Sequence, residues 1–374
     1  MTELAQAAAP EVAQAEAPAE AAPGRLFSLD AFRGFTMICM VGEGFGLHYL
    51  FHYPTVAPLA FQFTHADWRG MYAWDLIQPF FMFIVGAVMP IAFERRWRAG
   101  EEWGTSLRRV LRRSFLLVFW GLVARSIQAG RPVIDLINVL AQIAFTYPVA
   151  FLVLRKSWRV QAATAAGLLL VHWALFEFVR PPGVTGPWEK DANLGWYLDQ
   201  LILHKTWGGS YATINCLSSA ANTIFGVMAG GLLIGPLPRA RKLQILAAAG
   251  VAAVIAGLAL DPLVPIIKKI WTASFAIYST GFTLLALLGF YWVCDVWRKR
   301  DWAKVLVIVG SNSIFIYLFH EILHPWLEQT ALVFTGWTVN LWGAAGQILT
   351  AWVVILFEIY VCYWLYKHKI FFRL

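Results

Sequence analysis

Charge is scarce in this chain. Asp, Glu, Lys and Arg together make up 14% of its 374 residues, against about a quarter in soluble domains. With 59% hydrophobic residues and a mean hydropathy of +0.60, a soluble fold would leave large apolar patches in water. That excludes an ordinary soluble domain and points to a polytopic membrane protein. Cysteine is scarce too. Cys39, Cys216, Cys294 and Cys362 lie far apart with no CxxC pair, which excludes a disulfide or cysteine-metal framework and suits small apolar packing residues. The first 24 residues have no Lys or Arg and no long apolar run, so they do not read as a secretory signal. Their Ala-, Pro- and Glu-rich composition cannot bury a core. Residues 1–24 are expected to be a disordered cytoplasmic tail, and residues 25–374 a single transmembrane domain.

What the chain does have is long apolar stretches and 19 Trp, whose rings favour the membrane–water boundary. A helix crosses the hydrocarbon core with roughly 20 apolar residues. Ten stretches qualify, near 32–51, 72–93, 109–128, 133–154, 159–179, 213–235, 243–261, 271–294, 303–321 and 343–366. The fifth, containing His172 and Glu177, is the weakest, and 326–337 is apolar but too short to span. With the N-terminus inside, 22 of the 30 Lys and Arg fall on the inner side and every inner loop is basic, as the positive-inside rule requires. The expected fold is an all-α polytopic membrane helical bundle of about ten transmembrane helices with cytoplasmic N- and C-termini. The net charge of +8 then marks cytoplasmic loops, and no nucleic-acid binding is expected. Histidine has the opposite bias. His48, His52, His65, His204, His320 and His324 fall at outer ends or outer loops, His172 in the outer half of a span, and only His368 inside.

Ionisable groups at a membrane cost several kcal/mol unless paired or facing a polar cavity. In "MVGEGFGLH", Glu43 is interleaved with Gly42, Gly44 and Gly46. The glycines weaken a helix and allow close backbone approach, so the segment is either a polar notch or a packing groove. His65 precedes Asp75 by ten residues in "THADWRGMYAWDLIQPFF", with Asp67 between them. A carboxylate on one ring nitrogen raises the basicity of the other, as a general base needs. Either Asp67 or Asp75 can fill that place, and Asp75 also suits a helix N-terminus. In "GSNSIFIYLFHEILH", Asn312 is polar within an apolar helix, and His320, Glu321 and His324 crowd its end. The i, i+4 histidines share a face and with Glu321 have ligand chemistry, but there is no HExxH, and no metal is expected. Glu358, inside the last span, needs a partner that the sequence does not name. Lys268 and Lys269 in "DPLVPIIKKIWTASF" suit either an acidic substrate or snorkelling at a helix start.

Four blocks together carry a family resemblance. "RLFSLDAFRGFTM", "THADWRGMYAWDLIQPFFMFIVG", "PIIKKIWTASF" and "GSNSIFIYLFHE" resemble, in the same order, blocks of the heparan-alpha-glucosaminide N-acetyltransferase family of transmembrane acyltransferases. The resemblance covers roughly residues 25–324. It implies transfer of acetyl from acetyl-CoA across a membrane to an amino sugar or glycan on the extracytoplasmic side, with His65 as the catalytic histidine. Two departures bear on the acceptor. Many relatives carry an asparagine late in the first helix where this chain reads Gly-Glu-Gly, and an Asp-Pro-Glu-Gly segment where it reads "KTWGGSYATINCLSS". The implied setting is a bacterial inner membrane and the implied acceptor a cell-envelope glycan.

The expected mechanism has acetyl-CoA entering from the cytoplasm and His65, oriented by Asp67 or Asp75, deprotonating the acceptor. Asn312 or a backbone N–H steadies the oxyanion. Arg33 or the inner basic loops bind the CoA phosphates, and Glu43, His320, Lys268 and Lys269 line the substrate region. Direct transfer and an acetyl-histidine intermediate are both open. Two rival classes remain: a transporter or flippase of an envelope intermediate, using Glu43 and Glu358, and a non-enzymatic scaffold. Acetyl-CoA binding separates the enzyme from both.

Overall fold

The computed structural model describes residues 26–204 and 210–372. The expected tail, 1–24, lies outside them. The described residues are helical and contain no strand; a lone parallel bridge joins Gly70 to Ile267. The helices are α1 (Phe27–Val41), α2 (Ala57–Phe61), α3 (Ile77–Arg98), α4 (Trp103–Ala129), α5 (Val139–Val153), α6 (Trp158–Phe178), α7 (Leu194–Leu203), α8 (Asn215–Ile234), α9 (Arg239–Leu260), α10 (Ala273–Tyr291), α11 (Lys304–Ser311), α12 (Ser313–Trp342) and α13 (Ala344–Lys367). Side chains start several of them. Asn138 accepts from Ala141 N–H at 2.9 Å ahead of α5, and Asn193 from Trp196 N–H at 3.1 Å ahead of α7. Each satisfies one of the free N–H groups of a first turn.

This is a helical membrane protein. Among the described residues, six helices are long and apolar enough to cross a bilayer, or seven if the bent pair α11–α12 counts as one crossing. Each of the ten expected stretches falls on helix, but four differ from plain spans. The first, 32–51, breaks after the 15 residues of α1, because Gly42 is followed by left-handed backbone at Glu43, Gly44, Phe45 and Gly46. The third lies in α4, whose first half carries Arg108, Arg109, Arg112 and Arg113. The fourth contains only the 15-residue α5. The ninth bends by 69° at Asn312, then runs through Pro325 to Trp342. The stretch 326–337 is therefore the continuation of α12 and no separate element. Glu321 and His324 read as the end of an apolar run; in the structure they sit mid-helix.

Helix pairing follows small residues. α3 lies on α8, α9 on α10, α12 on α13, α1 on α11, and α4 on α5. A Cβ added at Gly34 would fall 1.6 Å from the Leu306 carbonyl oxygen, so α1 and α11 touch through backbone. The main core gathers Met37, Phe81, Met82, Phe93, Phe151, Ile224, Trp271 and Tyr317 from six segments. The four cysteines are free, in keeping with their expected packing role. The basic turns meet at one end of the bundle: Arg155 stacks on Trp97 and Arg113 on Tyr147, and Arg300 reaches Asp295, which caps Ser28 N–H. His65, Asp75 and Lys268 gather at the opposite end of α3.

Candidate active site

The short 3-10 turn Ala73–Leu76 leads into α3 and buries Asp75 completely, at 0% exposure. A carboxylate that buried needs a partner for every lone-pair region. Its Oδ2 accepts from Ala66 N–H at 3.1 Å and Tyr72 N–H at 2.9 Å. Its Oδ1 lies 2.9 Å from His65 Nδ1 and 3.2 Å from Lys268 Nζ. Lys268 is only 7% exposed. It is delivered by a tight turn in which Trp271 adopts φ +50° and Trp271 N–H bonds the Lys268 carbonyl. Gly70 N–H bonds the Ile266 carbonyl at 2.8 Å, which ties the His65 loop to this turn.

Lys268 Nζ also stands 3.0 Å from His65 Nδ1. An ammonium and an N–H cannot both donate into one another. Oδ1 is an anionic acceptor within reach of both, so Nδ1–H and Nζ–H each donate to Asp75. That tautomer leaves the Nε2 lone pair of His65 outward on a ring that is 48% exposed. Burial of part of the ring holds the imidazole below its ordinary value of 6.5; the Asp75 hydrogen bond opposes this, and the neighbouring Lys268 charge adds to the lowering.

The open choice between two carboxylates is thus decided by placement. Asp67 is 81% exposed and pairs with Lys190 at 2.8 Å and Lys269 at 3.9 Å. The Lys190 ammonium holds the Asp67 carboxyl below the usual range. Asp67 is a surface latch, not the partner of His65. The two lysines also part company. Lys268 is committed to Asp75, while Lys269 faces Asp67 and the Tyr211 ring. Asn312 is placed away from His65: its Nδ2–H donates to the Ile370 carbonyl and its Oδ1 accepts from Phe372 N–H, both at 3.0 Å. Its amide fastens the C-terminal segment, so of the two expected oxyanion donors Asn312 is engaged elsewhere and a backbone N–H stays open.

Glu43 lies in a second cluster. Its Oε1 is 3.2 Å from His320 Nε2 and its Oε2 3.3 Å from His324 Nε2, while His320 Nδ1 is 3.0 Å from Glu358 Oε1. His320 supplies the partner that Glu358 needed. Glu321 is absent from this cluster, because its carboxylate accepts from Gln128 Nε2 at 2.6 Å. Of the glycines around Glu43, Gly44 and Gly46 take left-handed backbone, and a Cβ on Gly44 would meet the Phe63 carbonyl at 2.4 Å. The notch is a close approach between the broken first span and the His65 loop.

A cavity of about 970 Å³ opens at the basic end. Arg33, Arg95, Arg96, Arg113, Lys367 and Lys369 line it, against the single carboxylate of Asp30. Arg113 Nε is buried with no hydrogen-bond partner among the described residues. Farther in, the walls are Phe81, Ile84, Val85, Leu140, Ile143 and Tyr317. Fifteen residues of α3 separate Phe81 from Arg96, about 22 Å at 1.5 Å per residue, and Phe81 is only about 9 Å along the chain axis from Asp75. The sequence singled out Arg33 and the inner basic loops, which supply Arg95, Arg96, Arg113, Lys367 and Lys369. Tyr317 and Tyr366 carried no signal, because their roles depend on the bend at Asn312.

Residues 25–174 match a domain family of unknown function, DUF5009. The chain is 25% identical to the heparan-alpha-glucosaminide N-acetyltransferase of Homo sapiens and 22% identical to that of Mus musculus, over 95% and 94% of its own length. It spans 60% of the length of each of these curated relatives. The likeness carried by four ordered motifs is therefore homology: this chain is a distant homologue of the heparan-alpha-glucosaminide N-acetyltransferases.

Proposed function

We propose that this protein is a transmembrane acetyltransferase that takes acetyl from acetyl-CoA held in the basic cavity and passes it to an amine or hydroxyl of a sugar at the His65 end. The observation that carries this reading is the cavity itself. It is cationic at its mouth and apolar along its length, and it runs along α3 toward the helix start that holds Asp75. A nucleotide phosphate cluster followed by a long, uncharged thiol arm matches that profile. Homology to acetyltransferases supports the reaction class. With the basic end cytoplasmic, as the positive-inside rule favours, ten crossings and two cytoplasmic termini complete the topology. The alternative is a transporter or flippase, which the homology to acetyltransferases does not favour.

The chemistry follows from the tautomer. His65 Nε2 accepts a proton from the acceptor as the latter attacks the thioester carbonyl. The tetrahedral intermediate collapses, the C–S bond breaks, and CoA leaves as thiolate, to which the proton is returned. Asp75 stabilises the imidazolium formed on the way, and Lys268 keeps Asp75 ionised and fixed. The acceptor class is an amino sugar or glycan, in line with the relatives' names.

The deciding measurement is calorimetric titration of acetyl-CoA into the full chain in detergent. Binding in the micromolar to millimolar range is expected. Replacing Arg96 and Arg113 together by alanine should weaken it at least tenfold and weaken 3′-dephospho-CoA less. No detectable binding to the folded wild-type chain would remove the enzyme reading and leave the transporter and scaffold readings.

The pH profile gives a second check. Only neutral His65 accepts a proton, and its titration lies below 6.5, so the acid limb of kcat/KM should fall at a pH below that of free imidazole. Lys268 is one of the groups pushing the value down. Lys268→Met should therefore move the acid limb to higher pH. A limb that stays put in that variant would show that another group controls the profile.

A further inference from the structure

The cluster joining the broken first span to α12 and α13 takes no part in the proton transfer proposed for His65. Glu358 is fully buried, and among the described residues its carboxylate is bonded to His320 Nδ1 alone, at 3.0 and 3.4 Å. A buried carboxylate needs a donor, which places the proton of His320 on Nδ1. His320 Nε2 then faces Glu43 Oε1 at 3.2 Å. His324 Nε2 faces the other oxygen of the same carboxylate at 3.3 Å. One carboxylate thus joins two imidazole nitrogens, and each gap is closed either by a ring N–H or by a shared cation.

We propose that Glu43, His320 and His324 bind a divalent transition-metal ion of the zinc class, with Glu358 as the carboxylate that orients His320. Four observations carry this. The two ring nitrogens approach different oxygens of Glu43, at 3.2 and 3.3 Å, gaps that metal–ligand bonds of about 2.0–2.1 Å can bridge. Two imidazoles and one carboxylate form a donor set that suits Zn²⁺ over Mg²⁺ or Ca²⁺. A histidine ligand whose other nitrogen donates to a buried carboxylate is the usual support for such a site. One ligand atom each of His320, His324 and Glu358 also lies within 4.8 Å of the others, so both rings and a buried carboxylate are gathered, and Glu43 brings a second carboxylate to the same rings. The ion's charge would balance the two carboxylates, and the 58% exposure of Glu43 leaves a coordination position for water.

The backbone fits the same account. Glu43 and Phe45 hold φ of +40° and +54°, a left-handed conformation that is unfavourable for non-glycine residues. A metal bond from Glu43 would fasten that strained turn to α12. Two protons can also fill the gaps, and the experiment separates the two cases.

Untagged full-length protein is stripped with a chelator in detergent, then titrated with Zn²⁺ and, separately, Co²⁺. About one ion per chain should bind, and Co²⁺ should show the intense visible bands of a tetrahedral N/O site, bleached by Zn²⁺ but not by Mg²⁺. His324→Ala should lower bound metal at least tenfold, and Glu358→Gln should raise the dissociation constant roughly 10–100-fold. Wild-type protein that takes up no Zn²⁺ and gives no such bands has its gaps filled by protons, and the proposal is overturned. Unchanged uptake and spectrum in His324→Ala would overturn it equally. The wild-type titration needs no variant to fold and no acetyltransferase activity, so its outcome is independent of the acetyl-transfer reading.

Discussion

His65→Ala should lose acetyl transfer by a factor of at least a hundred and keep its fold. A positioned general base contributes about 10²–10⁴ in rate, and no second base is bonded to Asp75 to take over. Among the described residues, the imidazole is the only Asp75 partner with a lone pair to offer; the others are two backbone N–H groups and an ammonium. The fold should survive because the ring is half exposed and Asp75 keeps three donors after its removal, including Lys268 at 3.2 Å. Loss of one hydrogen bond of this kind costs about 1–3 kcal/mol, less than a bundle of this size needs to unfold. The checks are acetyl-transfer rate, acetyl-CoA affinity and the elution profile in detergent. The rate should collapse while affinity stays within a few-fold, because the phosphate-binding mouth lies at the other end of α3. Full activity in a folded variant would end the assignment of His65.

Much of the site was legible because its parts are close in sequence. His65 and Asp75 are ten residues apart, and a carboxylate at a helix start beside a loop histidine is a local pattern. What sequence could not pair were groups joined only by tertiary packing. Lys268 reaches Asp75 from nearly two hundred residues away, and Lys190 draws Asp67 outward from 123 residues away. Without those two lysines the aspartates look equivalent. Glu43, His320 and Glu358 each stood out as ionisable groups in apolar surroundings, yet their union depends on the left-handed turn after Gly42. Three alternating glycines signalled a weak helix there, and the structure breaks it. Asn312 misled for a related reason. A polar residue amid apolar ones reads as an inward-facing donor, but here the helix bends by 69° and the amide caps the tail.

The apolar architecture was legible as ten stretches, while the crossings themselves depend on contacts between stretches, and one held by three close glycines yields the largest expected change in stability. α3 and α8 approach until backbone meets backbone. A Cβ at Gly86 would lie 1.9 Å from the Thr223 carbonyl oxygen, one at Gly226 2.0 Å from that of Phe83, and one at Gly230 2.1 Å from that of Ala87. No rotamer relieves a clash with a carbonyl held in a helix, so Gly226→Leu must push the two helices apart. Overpacking a core costs about 1–3 kcal/mol when side chains can adjust, and here the yielding part is two helices, so the upper end or more is expected. Thermal unfolding in detergent, followed by tryptophan fluorescence, should drop by on the order of 10 °C. Gly231 is the control. It is in the same helix with nothing within 4 Å of its added Cβ, and Gly231→Ala should hold or gain stability, by up to about 1 kcal/mol from helix propensity. Because α3 carries Asp75 at one end and walls the cavity along its length, Gly226→Leu should weaken acetyl-CoA binding and acetyl transfer together, whereas His65→Ala removes only the second. If Gly226→Leu unfolds no earlier than Gly231→Ala, the two helices are not in backbone contact, and the path from the basic mouth to His65 loses its wall.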